Sequence, residues 1–515
     1  MVEVGITVVY LLTIMPLVTC ELIVYPVADE APTSDKFQVY LTQGGQQKQS
    51  HVYITTSDHR TTEASHVKGG RSMSWTSFAF TGGKVTVEVH TSRDFQNCLV
   101  RPKSYSYSCR RTDNKVAVFD VTENTKMMSV EFDYDYGSST GGPDITDKLM
   151  VFADPPETNQ PSKANTSVLY YDVKVHDLNG QVELNSSIKE VYLAPGAFVK
   201  GGFTSTTENP VKIHGRGVLD NRDYQWRDPR FSYAAISFKK DKAHIIVEGI
   251  TISDPCRFYV RALGTNNIIN NVKMVGAWMY NNDGVVVGSN GTVADCFIHA
   301  NDDAIKLHGY NITVTRCVVW QAQNGAVFQT GWWDRTELHS IRVSNIDIIH
   351  VDWCTFKNSS CNLSVNKAVF NHPGNITKSM DISDVVMEDI RVEGTCPRVV
   401  YLRMERGTRG VIKNIRFVNW NIERQLATDK FQNEIEGTEP GSVEVTDLQF
   451  INFHIGGRCA SSAAEAGFRV GNSEVNNLTF WCIGNSAVRN KMTMVWTTAM
   501  VHYFKLYKFF LAAVC

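Results

Sequence analysis

The chain has 515 residues and 43% hydrophobic content, enough for two or more domains with sizeable cores and too much for a disordered protein. Its 51 basic and 53 acidic residues leave a formal charge of -2, which gives no electrostatic reason to expect nucleic acid or an anionic membrane as partner. A neutral substrate fits better.

The apolar run from Val4 to Val18, closed by Val18-Thr19-Cys20, reads as a secretion signal over residues 1–20. It is shorter than the ~18 apolar residues a membrane-spanning helix needs. Eight Asn-x-Ser/Thr sequons, at Asn165, Asn185, Asn290, Asn311, Asn358, Asn362, Asn375 and Asn477, are compatible with a glycosylating route. Among the 12 cysteines, Cys98/Cys109, Cys354/Cys361 and Cys459/Cys482 are close enough in sequence for disulfides of an extracellular protein.

From Glu21 to about residue 180 the chain shows short alternating strands, "KVTVEVH" (84–90), "KVAVFDV" (115–121) and "MSVEFDYDY" (128–136), the pattern of a β-sandwich. The stretch 137–162 reads as mostly loop. Its Gly137-Ser-Ser-Thr-Gly141 matches a nucleophile elbow by letters only, since no helix follows.

After "VYLAPGAFVKGGF" (191–203) the rhythm changes. Apolar residues around one Asn, Asp or Gly recur in "VEGITIS", "INNVKMV", "VADCFIH", "VTRCVVW", "VSNIDII", "MEDIRVE", "IKNIRFV", "VTDLQFI" and "VNNLTFW", mostly about 21 to 33 residues apart. Such a period predicts a solenoid of stacked β-coils over 181–486. The polar column Asn271, Asp295, Asn345, Asp389, Asn414, Asp447 and Asn477 reads as a turn ladder. Cys296 and Cys317 fall in the apolar column beside it and are expected to be reduced core residues. Residues 355–379 read as a loop inserted between coils, and 487–515 as an atypical tail.

Three consecutive coils, "NNDGVVVG" (281–288), "NDDAIKLH" (301–308) and "QNGAVFQ" (323–329), carry the candidate chemistry. Matching Val285/Val287 to Ile305/Leu307 sets Asp283 over Asp303, with backbones about 4.8 Å apart, and Asp302 one position earlier. Gly325 takes the matching place in the next coil and is expected to leave an open floor. Stacked like charges raise one another's pKa and destabilise a sheet, so folding does not recommend them. Glycoside hydrolysis, in contrast, needs one protonated and one ionised carboxyl group.

Lys306 is expected to point outward with Asp303, where it bonds sugar hydroxyls or keeps a carboxylate ionised. Trp332, Asn282, Tyr280, His308 and Gln329 are the remaining candidates for contact with substrate, Trp332 by stacking its indole on a sugar ring. No Cys-x-x-Cys pair or His-Glu-x-x-His helix is present, and neither a metal nor another cofactor is expected.

Asn-Asp-Gly, then Asn-Asp-Asp-Ala-Ile-Lys, then "QNGAVFQTGWW", preceded by "YLAPGAFVKGGF" and "GRGVLD", resembles glycoside hydrolase family 49, the dextranases and isopullulanases. The resemblance implies an N-terminal β-sandwich joined to a right-handed parallel β-helix, and inverting hydrolysis of α-glucans by three aspartates. It implies Asp302 as general acid, with Asp283 and Asp303 activating the water. Acid and base should then stand roughly 6.5 to 9.5 Å apart. A secreted monomer acting on an α-glucan is expected. Two rivals are a polygalacturonase-type pectin hydrolase, of which "LHGY" (307–310) gives half of one motif and whose Arg-Ile-Lys is missing, and a non-catalytic carbohydrate-binding solenoid.

Overall fold

The computed structural model describes residues 20–58, 69–135, 145–238, 243–330, 337–353, 366–372, 381–403, 410–425, 432–437, 443–471 and 475–483. Strands Gln46–Ser50, Phe37–Gln43, Val85–Thr91, Val116–Val121 and Arg110–Asp113 form one antiparallel sheet. Alternating residues of Phe37–Gln43 and Val85–Thr91 are buried, so one face is apolar and the other wet. That face packs Val39, Leu41, Val87, Val89 and Phe119 against Phe78, Phe80, Met128, Val130 and Val151 of a second, six-stranded sheet.

The second sheet is covered on both sides. Its outer face sets Met73, Trp75, Met150 and Phe152 against Trp278, Phe297, Val318 and Trp320 of the following domain. This double burial explains Asp147–Asp154, a strand buried along its whole length that pairs in parallel with Ser72–Thr81. The expectation of loop over 137–162 is thus corrected for these residues. A strand with two apolar faces shows no alternation, and its Gly- and Pro-rich flanks masked it. Gly137–Gly141 lies outside the described residues.

From Val168 onward the chain winds into a parallel β-helix whose strands pair with the coil before and after. The helix therefore begins before residue 181: Val168–Tyr171 and Val175–Glu183 already belong to its sheet. Val175–Glu183 is mostly polar and carries a bulge between Asp177 and Gln181, which hid its period. Phe370–His372, read as part of an inserted loop, is likewise a rung, paired with Phe328–Gln329 and Val400–Leu402. Inside, like residues stack: Val260, Val285, Ile305, Phe328, Phe370 and Val400 form one column of the core.

The polar column of the sequence divides into two ladders. One runs through Asn271, Asp295, Arg316, Asn345, Asp389, Asn419 and Asn452; the other holds Asn290, Asn311, Ser340, Asp384, Asn414, Asp447 and Asn477. All these residues have φ between 49° and 57°. Each coil makes two left-handed bends, and Asn and Asp tolerate that conformation best. Both bends precede a core residue, so local sequence cannot tell them apart. Rung-to-rung amide bonds, Asn311 to Asn290 at 3.0 Å and Asn419 to Asp389 at 3.1 Å, tie each ladder.

Cys98–Cys109 and Cys459–Cys482 are disulfides. Cys354 and Cys361 lie outside the described residues, as do Trp332, Trp333 and residues 484–515. Cys296 and Cys317 are free, buried and on adjacent rungs.

Candidate active site

The acids stay out of the apolar core because strand alternation resets just before each short strand. Ala304 and Ile305 are consecutive, yet both belong to the core. Asp303 and Lys306, which strict alternation would send to opposite faces, therefore share the outer face. In the coil before, Gly284 holds the place of Ala304: a Cβ there would meet Ile298 Cγ2 at 2.7 Å and the Ala304 carbonyl oxygen at 2.2 Å. Hydrogen bonds from Gly284 N–H to Asp303 O (3.0 Å) and from Val285 N–H to Ala304 O (2.9 Å) fix the register. Asp283 thus stacks on Asp303.

One oxygen from each of Asp283, Asp302 and Asp303 lies within 4.8 Å of the others. Asp283 and Asp303 are each 1% exposed and Asp302 8%. The Lys306 ammonium stands 2.5 Å from Asp283 Oδ2 and 3.2 Å from Asp303 Oδ2, in the position a bound cation would take. Its other side lies over the Phe258 ring, 4.6 Å from the centroid. Asp303 Oδ1 also accepts the Ala326 N–H at 2.9 Å. Asp283 Oδ1 receives no hydrogen bond from the described residues.

Asp302 is held differently. Its Oδ1 accepts the Asp303 N–H at 3.0 Å, and its Oδ2 accepts the Asn281 N–H at 3.2 Å and the Asn324 amide at 3.0 Å. Burial pushes it up to about 6, the charge of Asp303 adds to that, and Lys306 with the two N–H groups pulls back. Burial also pushes Asp283 well above the usual carboxylate range; Lys306 opposes this and the other two acids reinforce it. Burial disfavours the charge on Lys306, but the three carboxylates outweigh it and hold the ammonium above its usual range. Three acids facing one cation favour uptake of a proton. Both Asp283 and Asp302 share that tendency, and the ammonium that Asp283 touches opposes it there.

Gly325 closes the floor instead of opening it. With φ at +75°, its Cα abuts the doublet: a Cβ would lie 2.1 Å from the Asp302 carbonyl carbon and 2.3 Å from the Asp303 nitrogen. Asn282 is also corrected. It is fully buried, with Oδ1 taking the Met279 N–H at 2.8 Å and Nδ2 bonding the Pro255 and Arg257 carbonyls at 2.8 and 2.9 Å, so it pins the turn instead of facing substrate. Gln329, one rung from Lys306, is buried and engaged by Asn371 and the Thr330 carbonyl. His308 stands at the far end of the strand Ile305–Leu307, away from the acid corner. Tyr280 is half-buried beside Asn281, its carbonyl accepting Trp226 Nε1–H at 2.8 Å.

Sequence reasoning missed Asn281, Asn324, Trp226 and Lys367. Lys367 shares the column of Asp302 and Gly325 and is close enough for the Asp302 charge to oppose the burial that pushes it down. The long interval between Gln329 and Lys367 conceals that register.

The sandwich, residues 28–156, matches the model of the glycosyl hydrolase family 49 N-terminal Ig-like domain. The chain belongs to glycoside hydrolase family 49. A dextranase of Arthrobacter globiformis is 24% identical over 435 residues, covering 69% of this chain and 68% of the relative. An isopullulanase of Aspergillus niger is 25% identical over 459 residues, covering 77% and 80%. The solved structure of Dex49A from Penicillium minioluteum superposes with a TM-score of 0.69 at 21% identity, over 88% of this chain and 95% of that one, and shows the same fold. As a family 49 member the protein is a glycoside hydrolase with a β-sandwich and a parallel β-helix.

Proposed function

We propose that this glycoside hydrolase is a secreted enzyme that cleaves α-glucosidic bonds of a neutral glucan with inversion of configuration. The relatives named dextranase and isopullulanase support the substrate class. Two disulfides, the apolar N-terminus and the sequons support secretion.

The observation that carries the mechanism is the asymmetry of the cluster. Asp302, the more accessible acid, is pushed up to about 6 and protonates the departing glycosidic oxygen. Asp283 and Asp303, bridged by Lys306, orient a water and take its proton; the free Asp283 Oδ1 is the acceptor available for it. The nearest oxygens of the three acids lie within 4.8 Å of one another, against roughly 6.5 to 9.5 Å between the carboxyl groups of an inverting pair, and oxygen spacing alone would suggest a covalent, retaining route. Burial argues otherwise. Asp283 and Asp303 are almost inaccessible and already bonded to Lys306, so a water molecule reaches the anomeric carbon where a carboxylate oxygen does not.

Incubation with dextran and with pullulan tests the reading: reducing ends should appear with one of them and be lost in Asp302→Asn. A protein that binds glucan but releases no reducing ends would be a binding solenoid instead.

A further inference from the structure

Tyr233 stands in the same column as Asp302, three rungs earlier, through Arg257 and Asn282. Rung spacing puts the two backbones roughly 14 Å apart, about the length of two to three sugar rings. Tyr233 is 50% exposed as a residue, unlike nearly every other large aromatic among the described residues. Its backbone has φ of +70°, rare for a bulky side chain and therefore a sign of imposed position. The guanidinium carbons of Arg257 and Arg261 lie 4.4 and 4.9 Å from the ring centroid.

No ion pair or side-chain hydrogen bond engages either guanidinium among the described residues, so their N–H donors remain available. Arg261 lies in the outward row of Val286 and Lys306, and Phe258, between them, carries the Lys306 ammonium on its ring. The cluster and the acids therefore open on one face. An exposed aromatic ring offers an apolar surface to the C–H face of a sugar, and guanidinium forks suit vicinal hydroxyls.

We infer that Tyr233, Arg257 and Arg261 form a distal sugar subsite, which holds a glucosyl unit remote from the scissile bond and favours long chains. This rests on the α-glucan reading above. Tyr233→Ala should lose about tenfold in kcat/KM on the polymer, mostly through KM, and less than twofold on a trisaccharide of the same linkage. Tyr233→Ala in the Asp302→Asn background should bind the polymer about tenfold more weakly by calorimetry. That binding readout decides the matter even if the trisaccharide is a poor substrate.

Equal losses on both substrates would assign Tyr233 a structural role and overturn the inference, as would unchanged polymer binding. Wild-type protein that binds polygalacturonate through these residues, with binding lost in Arg261→Ala, would overturn the neutral sugar as ligand. A wild-type enzyme inactive on both dextran and pullulan would sink the functional reading itself, a result distinct from either.

Discussion

The Lys306 ammonium lies between Asp283 and Asp303, two carboxylates from consecutive coils, at 2.5 and 3.2 Å. Each backbone donates to the next, and each acid would repel the other without that cation. Lys306→Met should lower kcat by about 10² to 10³ and move the acidic limb of the pH–rate profile to higher pH, because uncompensated buried carboxylates bind protons more tightly. A pH series on both proteins measures this; an unmoved acidic limb would show that Lys306 does not tune the pair.

Asp302 has a folded pKa of about 6 against 3.8 for the free group. Because the native state binds this proton more tightly, stability from this group is present at low pH and declines as pH rises from about 4 through 6. Asp302→Asn should therefore be more stable than wild type above pH 7, by about 1 to 3 kcal/mol, and equal to it near pH 4. Denaturant titration at both values checks the sign. The same titration predicts that wild-type activity falls as pH rises through about 6.

Gly325→Ala would place a methyl group 2.1 Å from the Asp302 carbonyl carbon at a φ of +75°. The doublet must shift, and catalytic positioning is unforgiving: a loss of about 10² in kcat is expected while the fold persists. Circular dichroism with kinetics would distinguish this from unfolding.

Between the domains, Lys273 and Asp154 form a fully buried pair at 2.7 Å. Burial pushes the lysine down to about 8, against the pull of Asp154. Asp154→Asn strands that ammonium with the Gly249 and Asn271 carbonyls and should cost about 3 to 5 kcal/mol. Lys273→Met combined with Asp154→Leu should recover most of the loss, as thermal unfolding would show.

The register that stacks Asp283 on Asp303 is legible because paired apolar residues, Val285/Val287 and Ile305/Leu307, mark equivalent points of two coils. Where that marker weakens, legibility ends. The strand Asp147–Asp154 is apolar on both faces, and the first helical coils are polar, so each lacks its diagnostic period. Two bends per coil use the same Asn and Asp, which merged the two ladders. Asn282 looked available beside Asp283, but nothing in its letters shows that three backbone groups already claim its amide. Lys367 and Tyr233 reach the column of Asp302 through register alone, across intervals with no fixed length.

The stereochemistry of the first product decides between the burial argument and the spacing argument for this cluster. Proton NMR of a fresh digest of the active α-glucan, recorded before mutarotation, should show a β-configured reducing end. An α-configured end would mean that a carboxylate, and not water, attacks the anomeric carbon.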